Sequence, residues 1–180
     1  MPALLGFSRL IDALSEKAGL VAEWLVLGAC LVSAGNAAVR YLYPTYSSNG
    51  FLEIQWYMFG ALVFLGASHT LRVNEHVRVD LVYSSVSDRA RLWIDAVGFT
   101  LFLLPVCILL TYLSLPFFVQ SFRTGELSNN AGGLILWPIK LFLPLGFALL
   151  TLQGLSELIK RVAALRGDLT LDTHYEKPLQ

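Results

Sequence analysis

The chain has 180 residues, 56% of them hydrophobic and 14% charged, and its 13 basic and 13 acidic residues cancel to a formal net charge of +0. Soluble domains carry about 25% charged residues, so this composition excludes an ordinary water-soluble fold and fits a lipid solvent, where a charge at the bilayer centre costs at least ~2.5–3.5 kcal/mol. No basic field favours nucleic acid, and Cys30 and Cys107 sit singly in apolar runs, as small buried hydrophobes rather than a disulfide.

Residues 1–17 predict an amphipathic helix, with Leu4, Phe7, Ile11, Leu14 and Ala18 on one face, lying on the cytoplasmic headgroup surface. It does not read as a cleavable signal peptide: the apolar run is too long, Asp12 and Glu16 precede it, and no small-x-small site follows. A bilayer crossing needs about 20 apolar residues, and residues 18–39 and 51–71 supply the first two spans. Gly28, Ser33 and Gly35 in the first, and Gly60, Gly66, Ala67 and Ser68 in the second, suit close helix packing. The second span stops at Arg72, and a charged block follows, Glu75-His76-Val77-Arg78-Val79-Asp80. Val79, Val82, Tyr83 and Val86 then repeat at helical spacing, which predicts a second interfacial helix.

The third span covers 92–119, with Ser87 as N-cap, Asp88 in the first turn, and kinks at Pro105 and Pro116. Asn129-Asn130-Ala131-Gly132-Gly133 reads either as a flexible loop that starts a helix or as a docking surface. The fourth span covers 134–159, kinked at Pro138 and Pro144, and residues 162–180 form a polar cytoplasmic tail. The expected fold is therefore an all-α integral membrane protein: a four-helix membrane domain over 18–161 with short amphipathic interfacial helices. Arg9, Lys17, Arg72, Arg78, Arg89, Arg91, Lys160, Arg161, Arg166 and Lys177 fall on one side, against Arg40 and Arg123 on the other. By the positive-inside rule both termini are cytoplasmic.

The polar groups in or near the spans are Glu23, Asn36, Glu53, Gln55, His69, Asp95, Lys140, Gln153 and Glu157. Such groups default to a functional reading, but most lie within two turns of a span end and suit structural roles. Lys140 can snorkel to the outer face. Glu53, in Glu53-Ile54-Gln55-Trp56, is the one read as functional, with Trp56 as an interfacial anchor. No acidic residue sits at mid-membrane depth, which argues against an autonomous carrier. His69 alone among the histidines lies in a span, so a two-histidine haem site has no second ligand, and no cluster has zinc-ligand spacing. No phosphate loop or nucleophile elbow occurs. No catalytic, cofactor or metal site is expected.

Several of these features, in this order and spacing, resemble the small membrane subunit (DctQ-type, the Q subunit) of a tripartite ATP-independent periplasmic (TRAP) transporter. They are Asn36, Arg40 and Tyr41; Glu53, Gln55 and Trp56; Val63-Phe64-Leu65-Gly66-Ala67; and Glu75-His76-Val77-Arg78-Val79-Asp80-Leu81, which is similar to the family's "G/E-H-[IV]-x-[VI]-D" signature. Ser128-Asn129-Asn130-Ala131-Gly132-Gly133-Leu134 and Trp137-Pro138-Ile139-Lys140 are similar to a subgroup with a longer third loop. Asn74 departs from the glycine many members carry there, which predicts a local change in the turn.

The resemblance implies a non-enzymatic subunit of the bacterial inner membrane. Its partners would be a large permease subunit (M type) that carries the substrate and sodium sites, a periplasmic substrate-binding protein, and membrane lipids. It also implies sodium-coupled uptake of organic acids, with this chain bracing the large subunit's scaffold. Glu53, Gln55, Trp56, Arg72, His76, Arg78, Asp80, Asn129, Asn130 and Lys140 are the expected partner-interface residues. The alternatives are a haem-binding or anchoring membrane subunit of a redox complex and a stand-alone tetraspan scaffold.

Overall fold

A computed structural model describes residues 2–43, 49–76 and 86–170. Four helices dominate: α1 (Pro2–Leu42), α2 (Asn49–Arg72), α3 (Asp88–Thr124) and α4 (Trp137–Leu165). All four are long and apolar enough to cross a membrane. The second interfacial helix expected over 79–86, together with Arg78 and Asp80, lies outside the described residues save Val86, as do residues 171–180 of the tail.

The helices alternate in direction. Gly19 meets His69 and Gly28 meets Met58, which sets α1 antiparallel to α2, while Gly60 meets Ile139 and Gly146 meets Phe64, which sets α4 parallel to α2. α1, α2 and α4 pack mutually, and α3 lies along α4. The core where the three meet is Ala22, Leu65 and Leu149, flanked by Ala18, Leu25, Leu62 and Phe142. Small residues bring the axes close. A Cβ on Gly146 would sit 2.5 Å from Phe64 Cβ, and one on Gly154 2.4 Å from Leu103 Cδ2. Packing and not apolar burial must hold such a bundle together, because lipid tails are as apolar as its own side chains.

α1 differs from expectation. The amphipathic segment and the first span form one helix with no end near residue 17. At 1.5 Å per residue it is roughly 60 Å long, about twice the hydrocarbon thickness. Its inner face repeats every seven residues, Ser8, Ser15, Ala22, Ala29 and Asn36, all buried. Ile11 also turns inward, while Leu4, Phe7, Leu10 and Leu14 stay exposed. The face facing the bundle is therefore the small, hydroxyl-bearing one, because that face has partners on α4.

The prolines act in three different ways. Pro105 follows a π-helical turn at Phe99–Leu103, where the Leu104 N–H reaches back to Phe99 O. A proline donates no hydrogen bond and crowds the carbonyl four residues earlier, and the wider turn relieves both. Pro116 and Pro144 lie inside α3 and α4. Pro138, expected to kink α4, falls in its first turn instead, where the missing N–H has no helical partner to lose. Ser87 occupies the N-cap position of α3 as expected, but its hydroxyl makes no capping bond. The first turn is tied instead by Arg91, whose Nη1 lies 2.9 Å from Asp88 Oδ1.

Asn74 adopts φ 62°, and the bonds Asn74 N–H to Leu71 O (3.2 Å) and Glu75 N–H to Thr70 O (3.2 Å) close α2. This is a Schellman ending, whose left-handed position takes glycine or, next best, asparagine. Asn74 thus keeps the turn that a glycine would make.

Candidate functional site

Two polar clusters occupy opposite ends of the bundle. The first lies where α2 begins. Gly125 ends α3 in the left-handed conformation (φ 59°), and the chain doubles back through an antiparallel bridge between Leu127 and Ile135. Ser128 N–H donates to Leu134 O (2.9 Å) and Leu136 N–H to Glu126 O (2.9 Å). The turn is tight at Gly133, where a Cβ would lie 2.6 Å from Ser128 Cβ and 2.9 Å from Asn130 O.

Glu53 closes this loop from below. The Leu134 N–H donates to its Oε2 (2.6 Å), and Asn130 Nδ2 (2.7 Å) and the Ser128 hydroxyl donate to its Oε1. The Tyr57 hydroxyl adds a bond to Ile135 O (3.0 Å), and Asn49 Nδ2 one to Ala131 O (3.3 Å). Glu53 is 2% exposed, so the carboxylate expected at a partner interface is enclosed by this chain's own loop. A carboxylate offers several lone pairs and no donor, and three donors from one loop surround it. What this end presents outward is Trp56, Leu127, Asn129 and Ile135, all exposed, with Gln55 half-buried.

Lys140 reaches towards the same end. Its ammonium pairs with Glu126 and stands 4.0 Å from the centroid of the Phe117 ring. The Lys140 hydrogen bond holds the Glu126 carboxyl below its usual range. Phe122 and Trp137 meet edge-on at 5.3 Å and fasten α3 to α4 beneath the loop.

The second cluster joins α1, α3 and α4 at the other end. Gln153, Ser156, Ser8 and Ser15 are buried to 2% exposure or less, with Glu157 and Arg161 beside them at 4% and 6%. Ser15 Oγ donates to Gln153 Oε1 (2.7 Å), and Gln153 Nε2 donates to Asp12 Oδ1 and Glu157 Oε1, both at 3.0 Å. The Ser156 hydroxyl lies 2.7 Å from that of Ser8 and 2.9 Å from Asp12 Oδ1. Lys160 pairs with Asp12 (3.0 Å) and with Glu157. Arg161 pairs with Glu157 along α4 and, through Nε, with Asp95 of α3 (3.1 Å), and its guanidinium lies 4.8 Å from the Phe99 ring centroid. Arg72 joins from α2, donating to Asp12 O (3.0 Å) and Glu16 Oε2 (2.9 Å). Asp95, Gln153 and Glu157 were singled out from sequence. Asp12, Lys160 and Arg161 were read only as flanking or orienting charges, and the serines were passed over.

The expected interface residues therefore separate. Glu53 and Lys140 turn inward at one end, Asn130 there is exposed with its amide spent on Glu53, and Arg72 pairs inward at the other. Trp56, Asn129 and His76 are exposed. His76 borders an apolar groove of about 750 Å³ between α3 and the rest of the bundle, lined by Phe102, Val106, Leu110 and Phe147 among others. Among the described residues, no group of three or more His, Cys, Asp or Glu side chains is placed to hold a metal ion.

The sequence model of one family, described as "Tripartite ATP-independent periplasmic transporters, DctQ component", matches residues 29–164. No curated protein and no solved structure matches the chain.

Proposed function

The chain belongs to the DctQ-component family of tripartite ATP-independent periplasmic transporters, as a multi-pass membrane protein, and we propose that it serves as the static small permease subunit that braces a large, substrate-carrying subunit. The observation that supports this reading is how its buried polar groups are used. Glu53 is consumed in tying a loop, and Asp12, Gln153, Glu157, Arg161 and Asp95 in tying three helices to one another. Internal fastening of this kind suits a frame against which another domain moves.

In this reading both termini face the cytoplasm of a bacterial inner membrane, supported by the bias of basic residues to that side. The loop over Glu53 then faces the periplasm, where Trp56, Leu127, Asn129 and Ile135 meet the large subunit or the docked binding protein. At the other end, residues 1–17 lie at the headgroups through Leu4, Phe7, Leu10 and Leu14, and residues 162–180 extend into the cytoplasm. His76, Arg78 and Asp80 belong to that cytoplasmic surface. The cargo is an organic acid moved with sodium, and its site lies in the large subunit.

Reconstituting the large subunit and binding protein in proteoliposomes, with and without this chain, tests the proposal. Organic-acid uptake driven by a sodium gradient should depend on the chain. Full uptake without it, or uptake indifferent to sodium, would overturn the reading.

A further inference from the structure

The outer face of α1 carries a carboxylate that the bundle leaves unanswered. Glu23 is exposed and, among the described residues, has no hydrogen-bond or ion-pair partner. It stands about 100° round the helix from the inner stripe of Ser15, Ala22 and Ala29, on an outer flank with Leu20 and Leu27, which are 54% and 49% exposed. Ala34 and Ala37, both exposed, continue that flank.

Depth makes the carboxylate costly. Glu16, whose partner Arg72 ends α2, lies seven residues before Glu23, about 10 Å at 1.5 Å per residue. The α1 residue beside Glu23, Ala22, faces Gly66, six residues inside Arg72 along α2. With Arg72 taken as the headgroup boundary, Glu23 lies about 10 Å into a layer whose half-thickness is about 15 Å, deeper than its place near the start of the first span suggests. Its neighbours one turn away, Gly19, Leu20, Val26 and Leu27, are apolar. Intramembrane carboxylates face protein or water and pair with something.

We propose that this face of α1 is a helix-docking surface, and that its occupant is a transmembrane helix of the large permease subunit carrying a basic side chain opposite Glu23. Leucines around the acid and small residues beyond it suit that occupant: the former exclude lipid from the ion pair, and the latter let a second backbone approach. A lipid headgroup would have to be drawn about 10 Å inwards to reach the same carboxylate. The proposal rests on the transporter-subunit reading and adds the contact face and its chemistry.

The test co-expresses the full-length chain, tagged at its C terminus, with the large subunit, and measures permease recovered per chain in mild detergent. Glu23→Leu is expected to lower recovery at least about tenfold, Glu23→Lys further, and Glu23→Gln by less, because a desolvated charge pair is lost, reversed or reduced to a hydrogen bond. A photo-crosslinking residue at Leu27 in the wild-type background should label a permease peptide that carries the basic residue, a readout independent of any folding defect in the variants. Wild-type recovery by Glu23→Leu, or labelling at Leu27 of lipid alone, would overturn the docking face while leaving the subunit reading intact. A wild-type chain that recovers no permease would sink both.

Discussion

The two ends of the bundle solve the problem of a buried carboxylate differently. At the loop end, Glu53 is surrounded by neutral donors: a backbone N–H, an amide and a hydroxyl. At the other end, Glu157 and Asp95 share one guanidinium, and Glu157 also takes an ammonium. The first arrangement orders one loop on one helix. The second links α1, α3 and α4 through side chains whose charges depend on each other. Removing the carboxylate from the first leaves only neutral donors. Removing one member of the second leaves unlike charges unbalanced in a buried site, and the effects should scale accordingly.

The largest effect is expected from Arg161→Met. It removes the guanidinium that Glu157 and Asp95 share, and breaking a buried pair by removing one partner costs about 3–5 kcal/mol. The purified variant should melt far below wild type in detergent, and α3 should exchange amide hydrogens faster because its charged tie to α4 is gone. An unchanged melting temperature would show that these charges are solvated and not coupled. Glu53→Gln should cost less, because it weakens hydrogen bonds to a charged acceptor without leaving an unpaired charge. Its signature is local: faster exchange at the Leu134 amide and new protease cleavage across 126–136, with the helices intact. If exchange at Leu134 does not change, the carboxylate does not hold the loop.

This contrast also separates what could be read from the sequence from what could not. The four helices were legible because length and hydropathy fix them. Glu53 stood out because a carboxylate near a span end is conspicuous, yet its direction was misjudged. A carboxylate turns inward when donors converge on it, and those donors lie about 80 residues away in a loop whose fold depends on Gly125 and Gly133. The second cluster was half visible. Asp95, Gln153 and Glu157 are polar in apolar surroundings, whereas Lys160 and Arg161 looked like orienting charges. The missed clue was periodic: Ser8 and Ser15 continue the seven-residue spacing of Ala22 and Ala29, a face too small and polar to lie on lipid. The unbroken α1 was hidden for the same reason, since nothing local marks whether a helix stops at a membrane surface.

Between the two ends, the helices meet around Gly146 by close packing, and this region sharpens the comparison. At Gly146, α2 and α4 touch through backbone, with Phe64 Cβ and O 2.5 and 2.9 Å from where a Cβ would stand. Gly146→Ala should cost about 1–3 kcal/mol by overpacking, less than Arg161→Met although it lies closer to the core. Its loss should appear as a lower melting temperature with normal exchange at Leu134. A neutral outcome would mean that α4 slides to admit the methyl group, and that the end clusters alone fix its position.

The smallest effect concerns Glu126 and Lys140, a pair whose carboxylate is exposed, unlike the buried charges at the other end. Lys140 lowers the Glu126 carboxyl from its ordinary value of 4.5. A depressed folded-state value means that the stabilisation is present above 4.5 and fades as pH falls through the lower, folded value. Exposure makes the contribution small and salt-sensitive. Melting temperatures of wild type and Lys140→Met, compared from pH 7 to pH 3, should differ slightly at neutral pH and converge below pH 4.5. Salt should shrink the difference at pH 7. Lys140 also stands over the Phe117 ring, and a cation–π contact does not depend on the protonation of Glu126. A difference that persisted unchanged into acid would therefore assign the role of Lys140 to the ring, and would leave charge pairing as a device of the other end alone.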